Sequence, residues 1–376
     1  MKKKVVTIWW WNWHSNILWG IYHVFLQKVD LSAIVSMSDD GRTTGRLMRY
    51  FHEDIWIHFP PPWDLRRCLY FLSASPYRDE FQKYFEFIIQ DDILIASIDL
   101  WTIARIVWVY QLLEKLDFPY FHAKLPIRHS LEGHKFWNIF MAFLFYHLDK
   151  NYDAMMQYMH ILLDVRWNVL PVTTDRAYIQ ATLADGRVIE KQDNISNVAW
   201  YSSRIVHLSL MPGSHDAKHQ DAITTAIRDT DYIVISPGDL YTSTISNLII
   251  GWVRELIGES SAKIIYIANT TNKWWETTNY AILDFVNELE KYLWKGIDTV
   301  IANNFLPVLT PEQEELLKID ISVKGWQYIF LSDSEKEVLF KRGIHIIEDN
   351  ILDSKSLYKH DSIKLAKILE GIMLLW

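Results

Sequence analysis

The chain has 376 residues, 50% of them apolar, with 38 Lys and Arg against 46 Asp and Glu for a net charge of −8. This apolar content supports a sizeable core. The acidic balance, with no basic block longer than Lys2-Lys3-Lys4, excludes a general nucleic-acid binder and leaves nucleotides and sugars open. The lone cysteine, Cys68, excludes an internal disulfide framework and fits a reducing cytoplasm.

From the N-terminus, Val5 to Ile8 reads as a strand that opens into Trp9-Trp10-Trp11-Asn12-Trp13-His14-Ser15, ahead of the helical run Ile17 to Phe25. A strand turning sharply into a helix, with anionic oxygens close to the helix N-terminus, needs residues that tolerate positive φ and leave the contact clear. Asn12, His14, Ser15 and Asn16 can cap and hydrogen-bond there. The tryptophans cannot stand in for glycine: each left-handed placement costs about 1–2 kcal/mol, and an indole fills the space of a diphosphate. The pattern recurs at Pro62-Trp63-Asp64, Phe136-Trp137-Asn138, Arg166-Trp167-Asn168 and Lys273-Trp274-Trp275-Glu276, and 18 tryptophans against 13 glycines invert the usual ratio. The chain reads as one in which tryptophan stands where turn glycines belong.

Two apolar stretches invite comparison with membrane segments. Val5 to Leu26 is interrupted by Asn12, His14, Ser15, Asn16 and His23 with no small-residue cleavage site after it, and Ile93 to Leu113 carries Asp99 and Arg105 in mid-span. Neither is expected to span a bilayer.

Strand-like runs then alternate with helical ones: Leu31 to Met37, Val169 to Thr173, Ile205 to Leu210, Tyr232 to Ser236, Lys263 to Ala268 and Thr299 to Ala302. This rhythm predicts an α/β fold, a Rossmann-like parallel sheet with helices on both faces and ligands at the carboxyl ends of the strands. The stretch from about residue 76 to 130 is helical in pattern and reads as an insertion, and Thr182 to Glu190 around Asp185-Gly186 reads as a β-hairpin. With no proline- or serine-rich linker, a single domain over 1–376 is expected.

Five polar loops could carry chemistry. Ser38-Asp39-Asp40-Gly41-Arg42-Thr43-Thr44-Gly45-Arg46 offers carboxylates for Mg²⁺ or ribose hydroxyls and Arg42 for phosphate, or else Asp residues that cap a helix. Asp64, after three prolines, is either an N-cap or the first residue of a site in which Arg66 or Arg67 meets an anion. His134 and Asn138 flank a helix start, with His134 in a supporting role. Gly238, Tyr241, Thr242 and Ser243 lie in a polar run that retains its glycine and so its anion-binding geometry, with capping by Thr242 or Ser243 as the alternative. Asn269, Glu276 and Thr277 suit recognition of a base, ribose or sugar. No Ser-His-Asp order, zinc spacing or Walker lysine loop is present.

Together these loops resemble one family, the CofD-like superfamily, whose branches include 2-phospho-L-lactate transferases and gluconeogenesis factors. Its GGG-x-G opening is matched by Trp9-Trp10-Trp11-Asn12-Trp13, and its DDGG-x-x-G loop by Asp39 to Gly45. PPGD is matched by Pro61 to Asp64, GH-x-x-GN by Gly133 to Asn138, PG-x-LYTS by Pro237 to Ser243, GET by Trp275-Glu276-Thr277, and RHD by Lys359-His360-Asp361. The matched glycines at 9, 10, 11, 13, 63, 137 and 275 are all tryptophan, and Lys359 replaces an arginine that would grip phosphate bidentately.

The resemblance implies a cytoplasmic regulatory protein that binds a UDP-N-acetylglucosamine-like nucleotide sugar, linking carbon source to cell-wall supply and cell shape. Binding is expected to be impaired by tryptophan in the phosphate loops. The alternative it implies is a Mg²⁺-dependent phospholactyl transferase, with the metal at Asp39 and Asp40. No nucleic acid and no membrane span are expected, and homo-oligomer formation is left open.

Overall fold

The computed structural model describes residues 2–9, 14–90, 92, 99–106, 109–115, 122–197, 203–273, 276–315, 318, 327–354, 356 and 358–374. The chain divides into two compact units, one made of residues 1–38, 167–173 and 177–376, the other of residues 39–166 and 174–176.

The first unit is built on a seven-stranded, wholly parallel sheet. Its strands are β1 (Lys3–Trp9), β2 (Val29–Val35), β3 (Asn168–Pro171), β7 (Tyr232–Ile235), β8 (Lys263–Ile267), β9 (Thr299–Asn303) and β10 (His345–Asp349), in the order β10-β9-β8-β7-β1-β2-β3. This is the Rossmann-like α/β arrangement expected from the alternating runs. β7 and β9 are buried along their whole length, as apolar strands covered by helices on both faces must be. Sequence reading did not pick out β10, whose register is exposed or half-buried and mixes acids with isoleucines.

One expectation is corrected. Ile205–Leu210 (β6) is a strand, but it pairs antiparallel with β4 (Ile179–Leu183), which also pairs with β5 (Val188–Glu190) in a separate three-stranded sheet. Val206 and His207 are exposed on β6, the one-sided burial that an antiparallel strand tolerates and a central parallel strand does not. β4 and β5 form the expected hairpin, with Gly186 at φ 86 in its turn.

The helix His14–Phe25 packs on the helix Ser362–Leu374. Gly20 makes this possible, since a Cβ there would lie 1.9 Å from the Ser362 carbonyl oxygen.

The second unit is helical, and the stretch 76–130 lies within it. Its core is aromatic: Phe51 stacks on Phe59 at 4.7 Å, Phe59 meets Phe145 at 5.2 Å, and Phe85 packs against Phe136, Trp137 and Phe140. The helix Arg42–Ile55 ends on Trp56, which takes the left-handed conformation (φ 57) with its indole 82% exposed. In the first unit the helix Ile282–Leu293 ends the same way on Trp294, φ 53 and 56% exposed. Among the described residues no helix is long and apolar enough to cross a membrane.

Candidate functional site

In the first unit the strand order places β1 beside β7, and the chain winds outward from that pair in opposite directions. Such a reversal opens a crevice at the carboxyl ends of the two strands. The loop after β1 holds Asn12, which lies outside the described residues, as do the side chains of His14 and Ser15.

The loop after β7 leads into a wide π-helical turn, Leu240–Ile245, every residue of which is buried. Turns of this width recur at functional sites because they push side chains out of the usual helical register. The amides of residues 241–244 are answered from within the protein. Ser243 and Thr244 N–H donate to the Asp239 carbonyl at 3.0 and 3.1 Å, and Tyr241 and Thr242 N–H donate to Glu276 Oε2 at 3.1 and 3.3 Å. Thr242 Oγ1–H donates to Glu276 Oε1 at 2.6 Å.

Glu276 comes from the loop after β8 and is 2% exposed. Burial, and then the nearby Asp239 carboxylate, push its carboxyl up to about 7, while Lys273 pulls the other way. Lys273 itself is ion-paired with Asp239. Asn269 Nδ2 donates to the Gly238 carbonyl at 2.9 Å, and Thr277 Oγ1 accepts the Lys273 N–H at 2.9 Å. Gly238, Tyr241, Thr242, Ser243, Asn269, Glu276 and Thr277 are therefore brought together as one knot of two loops.

Within that knot Tyr241 faces inward. Its hydroxyl donates to the Ile205 carbonyl at 3.0 Å and lies 2.9 Å from the Tyr280 hydroxyl. Ser243 Oγ, in contrast, is buried without a hydrogen-bond partner among the described residues, as are Ser236 Oγ at the end of β7 and Thr7 Oγ1 on β1. Buried hydroxyls in native proteins are normally satisfied, so these mark where water or ligand is needed.

Lys359-His360-Asp361 is fastened to the end of β8. His360 Nε2 donates to the Ala268 carbonyl at 3.0 Å, Thr270 Oγ1 donates to the Tyr358 carbonyl at 2.6 Å, and Asp361 Oδ1 accepts the Ile363 and Lys364 N–H groups. Burial lowers the His360 pKa to about 4, so the ring is neutral.

In the second unit, Asp39 Oδ1 accepts the Gly41 N–H at 3.1 Å, and the helix that follows has Gly41 as its N-cap with no side-chain cap. The acidic pair therefore does not cap that helix. Arg42 adopts φ 46, the left-handed region, at the second glycine of the resembled loop, and it is exposed. Gly45 lies so close beneath the loop that a Cβ would sit 2.0 Å from the Asp40 carbonyl oxygen.

Asp64 is likewise no N-cap. It lies inside the first turn of Trp63–Phe71, 6% exposed, and burial together with the Asp39 charge raises its pKa well above the ordinary range. Arg66, 1% exposed, pairs with Glu86 at 3.0 Å, and Lys135 binds the same carboxylate. Burial lowers the Arg66 pKa to about 10, which leaves it charged. Sequence reasoning missed Glu86, since nothing local marks an acid near the end of a short helix as the counter-charge of an arginine some twenty residues earlier. His134 and Asn138 are fully buried, with no hydrogen-bond partner for either side chain among the described residues, and burial and then Arg46 bring the His134 pKa down to about 4.

The family model of CofD, described as 2-phospho-L-lactate transferase, matches residues 14–351. The chain belongs to the CofD family. It is similar to the gluconeogenesis factor of Bacillus subtilis, 27% identical over 96% of this chain and 94% of that one. The gluconeogenesis factor of Halalkalibacterium halodurans is 25% identical over 99% and 97% of the two chains. A Bacillus halodurans protein of known crystal structure superposes with a TM-score of 0.75 at 22% identity, covering 98% of this chain and 99% of that one, and so shares the fold. A second crystal structure of that protein describes it as a member of the UPF0052 family. Among the described residues of this CofD-family chain, no group of three or more His, Cys, Asp or Glu is placed to hold a metal ion.

Proposed function

We propose that this CofD-family protein binds a nucleotide sugar of the UDP-N-acetylglucosamine class in the crevice at the carboxyl ends of β1 and β7, as a regulator of the gluconeogenesis-factor type. The observation that carries the reading is the strand reversal at β1/β7, the place where open α/β sheets take nucleotides. The loop after β7 adds the buried hydroxyls of Ser236 and Ser243, without a partner among the described residues and suited to ribose or sugar. The names of its relatives favour a regulator. In the second unit, taken by itself, Asp39 and Asp40 have the donor chemistry for Mg²⁺.

A second reading, a Mg²⁺-assisted phospholactyl transferase, is favoured by the description of the matching family model. In it Asp39 and Asp40 would hold the metal, whose Lewis acidity would polarise the phosphate, while the chain's own hydroxyls would orient the acceptor.

Calorimetry with UDP-N-acetylglucosamine separates the cases, run on this chain and on a variant with glycine at positions 9, 10, 11 and 13. Heat of binding that is stronger in the variant supports the sensor and its impairment by indoles. No heat in either form removes it, and phospholactyl transfer abolished by Asp40→Asn would install the transferase instead.

A further inference from the structure

We propose that Glu276 is a positioning residue that clamps the Leu240–Ile245 turn, and that this turn meets its anionic ligand through the Ser243 hydroxyl rather than through backbone amides. The inference rests on the nucleotide reading and refines it. A helix N-terminus following a strand ordinarily offers free N–H groups to phosphate. Here residues 241–244 have none to offer, because the Glu276 carboxylate takes two and the Asp239 carbonyl takes two.

The protein's own carboxylate thus occupies the position a phosphate would take. Three donors converge on it, two amides and the Thr242 hydroxyl, so the turn is fixed before any ligand arrives. A second anion beside Glu276 and Asp239 would meet like charge, while Lys273 is already paired to Asp239. What the turn has left is Ser243. Its hydroxyl is 1% exposed and has no partner among the described residues, while the Ser243 carbonyl is held by Asn247 Nδ2 at 2.8 Å and by Ser246 Oγ at 3.2 Å. A hydroxyl on so firmly held a backbone is pre-set to donate to a phosphate oxygen.

The charged groups acting on Glu276 are Asp239 and Lys273, and its hydrogen-bonding neighbour is Thr242. Ionised Glu276 accepts all three hydrogen bonds, whereas the protonated form gives up acceptor capacity, so the clamp is tighter above neutrality.

The test has a ligand-free arm and a binding arm. In the full chain without ligand, amide hydrogen exchange at 241–244 is expected to be slow and to speed at least tenfold in Glu276→Gln, with Glu276→Asp in between. Unchanged exchange overturns the clamp whether or not anything binds. In the variant with glycine at 9, 10, 11 and 13, Ser243→Ala is expected to weaken UDP-N-acetylglucosamine by about tenfold, the worth of one hydrogen bond to a charged group, with the melting temperature unchanged. Protection of the 241–244 amides, corrected for intrinsic exchange, is expected to be greater at pH 8 than at pH 6 in the parent, and Glu276→Gln is expected to remove that difference. A parent that binds while Ser243→Ala binds equally well refutes the Ser243 assignment alone. A parent that does not bind overturns the nucleotide reading together with that assignment, and leaves the exchange result to decide on Glu276.

Discussion

Trp56 and Trp294 occupy helix C-caps in the left-handed conformation, the backbone that glycine adopts without penalty. For a residue with a Cβ that placement costs about 1–2 kcal/mol, and the greater freedom of glycine in the unfolded chain returns part of it, so Trp56→Gly is expected to stabilise by about 0.5–1 kcal/mol. Little opposes the gain, since Trp56 is 82% exposed and the His52 ring is 5.9 Å away. Trp294 differs. Arg254 lies over its ring at 4.5 Å, a contact worth about 0.5–1 kcal/mol, so Trp294→Gly is expected to be close to neutral. Urea unfolding followed by circular dichroism reads both as midpoint shifts at constant slope. Trp56→Ala is the control, because alanine keeps the Cβ and should gain nothing. A destabilised Trp56→Gly, or an alanine variant stabilised to the same extent, would refute the reasoning.

Other outcomes follow from particular contacts. Gly20→Ala drives a Cβ to 1.9 Å from the Ser362 carbonyl oxygen, backbone against backbone, and should cost several kcal/mol, on the order of 3, seen as a large drop in melting temperature. Gly45→Ala, with 2.0 Å to the Asp40 carbonyl, should displace the acidic turn, which amide exchange at residues 39–42 would report. His360 has its folded pKa lowered to about 4 from 6.5, so the stability it contributes is complete above pH 6.5 and is lost as pH falls from there toward 4. The wild-type melting temperature should therefore fall between pH 7 and pH 5 more than that of His360→Asn. Peptide mapping of the protein made by its own organism is expected to show glycine at positions 56 and 294, the residue these backbones suit; tryptophan at both would mean that the strain is simply tolerated.

The parallel sheet was legible because its inner strands are short apolar runs, such as Tyr232–Ile235, between turn signals. β6 misled because Ile205–Leu210 is also mostly apolar, and only its pairing with residues 179–183 makes it antiparallel. Of the site, the loops were legible from their polar residues, but the direction of each side chain was not. Tyr241 and Glu276 both read as ligand groups, yet the first is spent on the Ile205 carbonyl and the second on the turn beside it. Such roles depend on contacts across more than thirty residues of chain, as Glu276 to Tyr241 shows.

The strand that leads into the opening loop also dictates the order in which the protein assembles. β1 lies between β2 and β7, so its second edge waits for residues 232–235, and the helix behind the opening loop waits for residues 362–374 to lie against Gly20. A ribosome delivering the chain from its N-terminus therefore releases β1 and the helix His14–Phe25 long before their supports exist. Nascent chains are expected to leave the helix His14–Phe25 unpacked until residues 362–374 emerge, and cleavage that removes those residues should destabilise that helix even though every residue of it is still present.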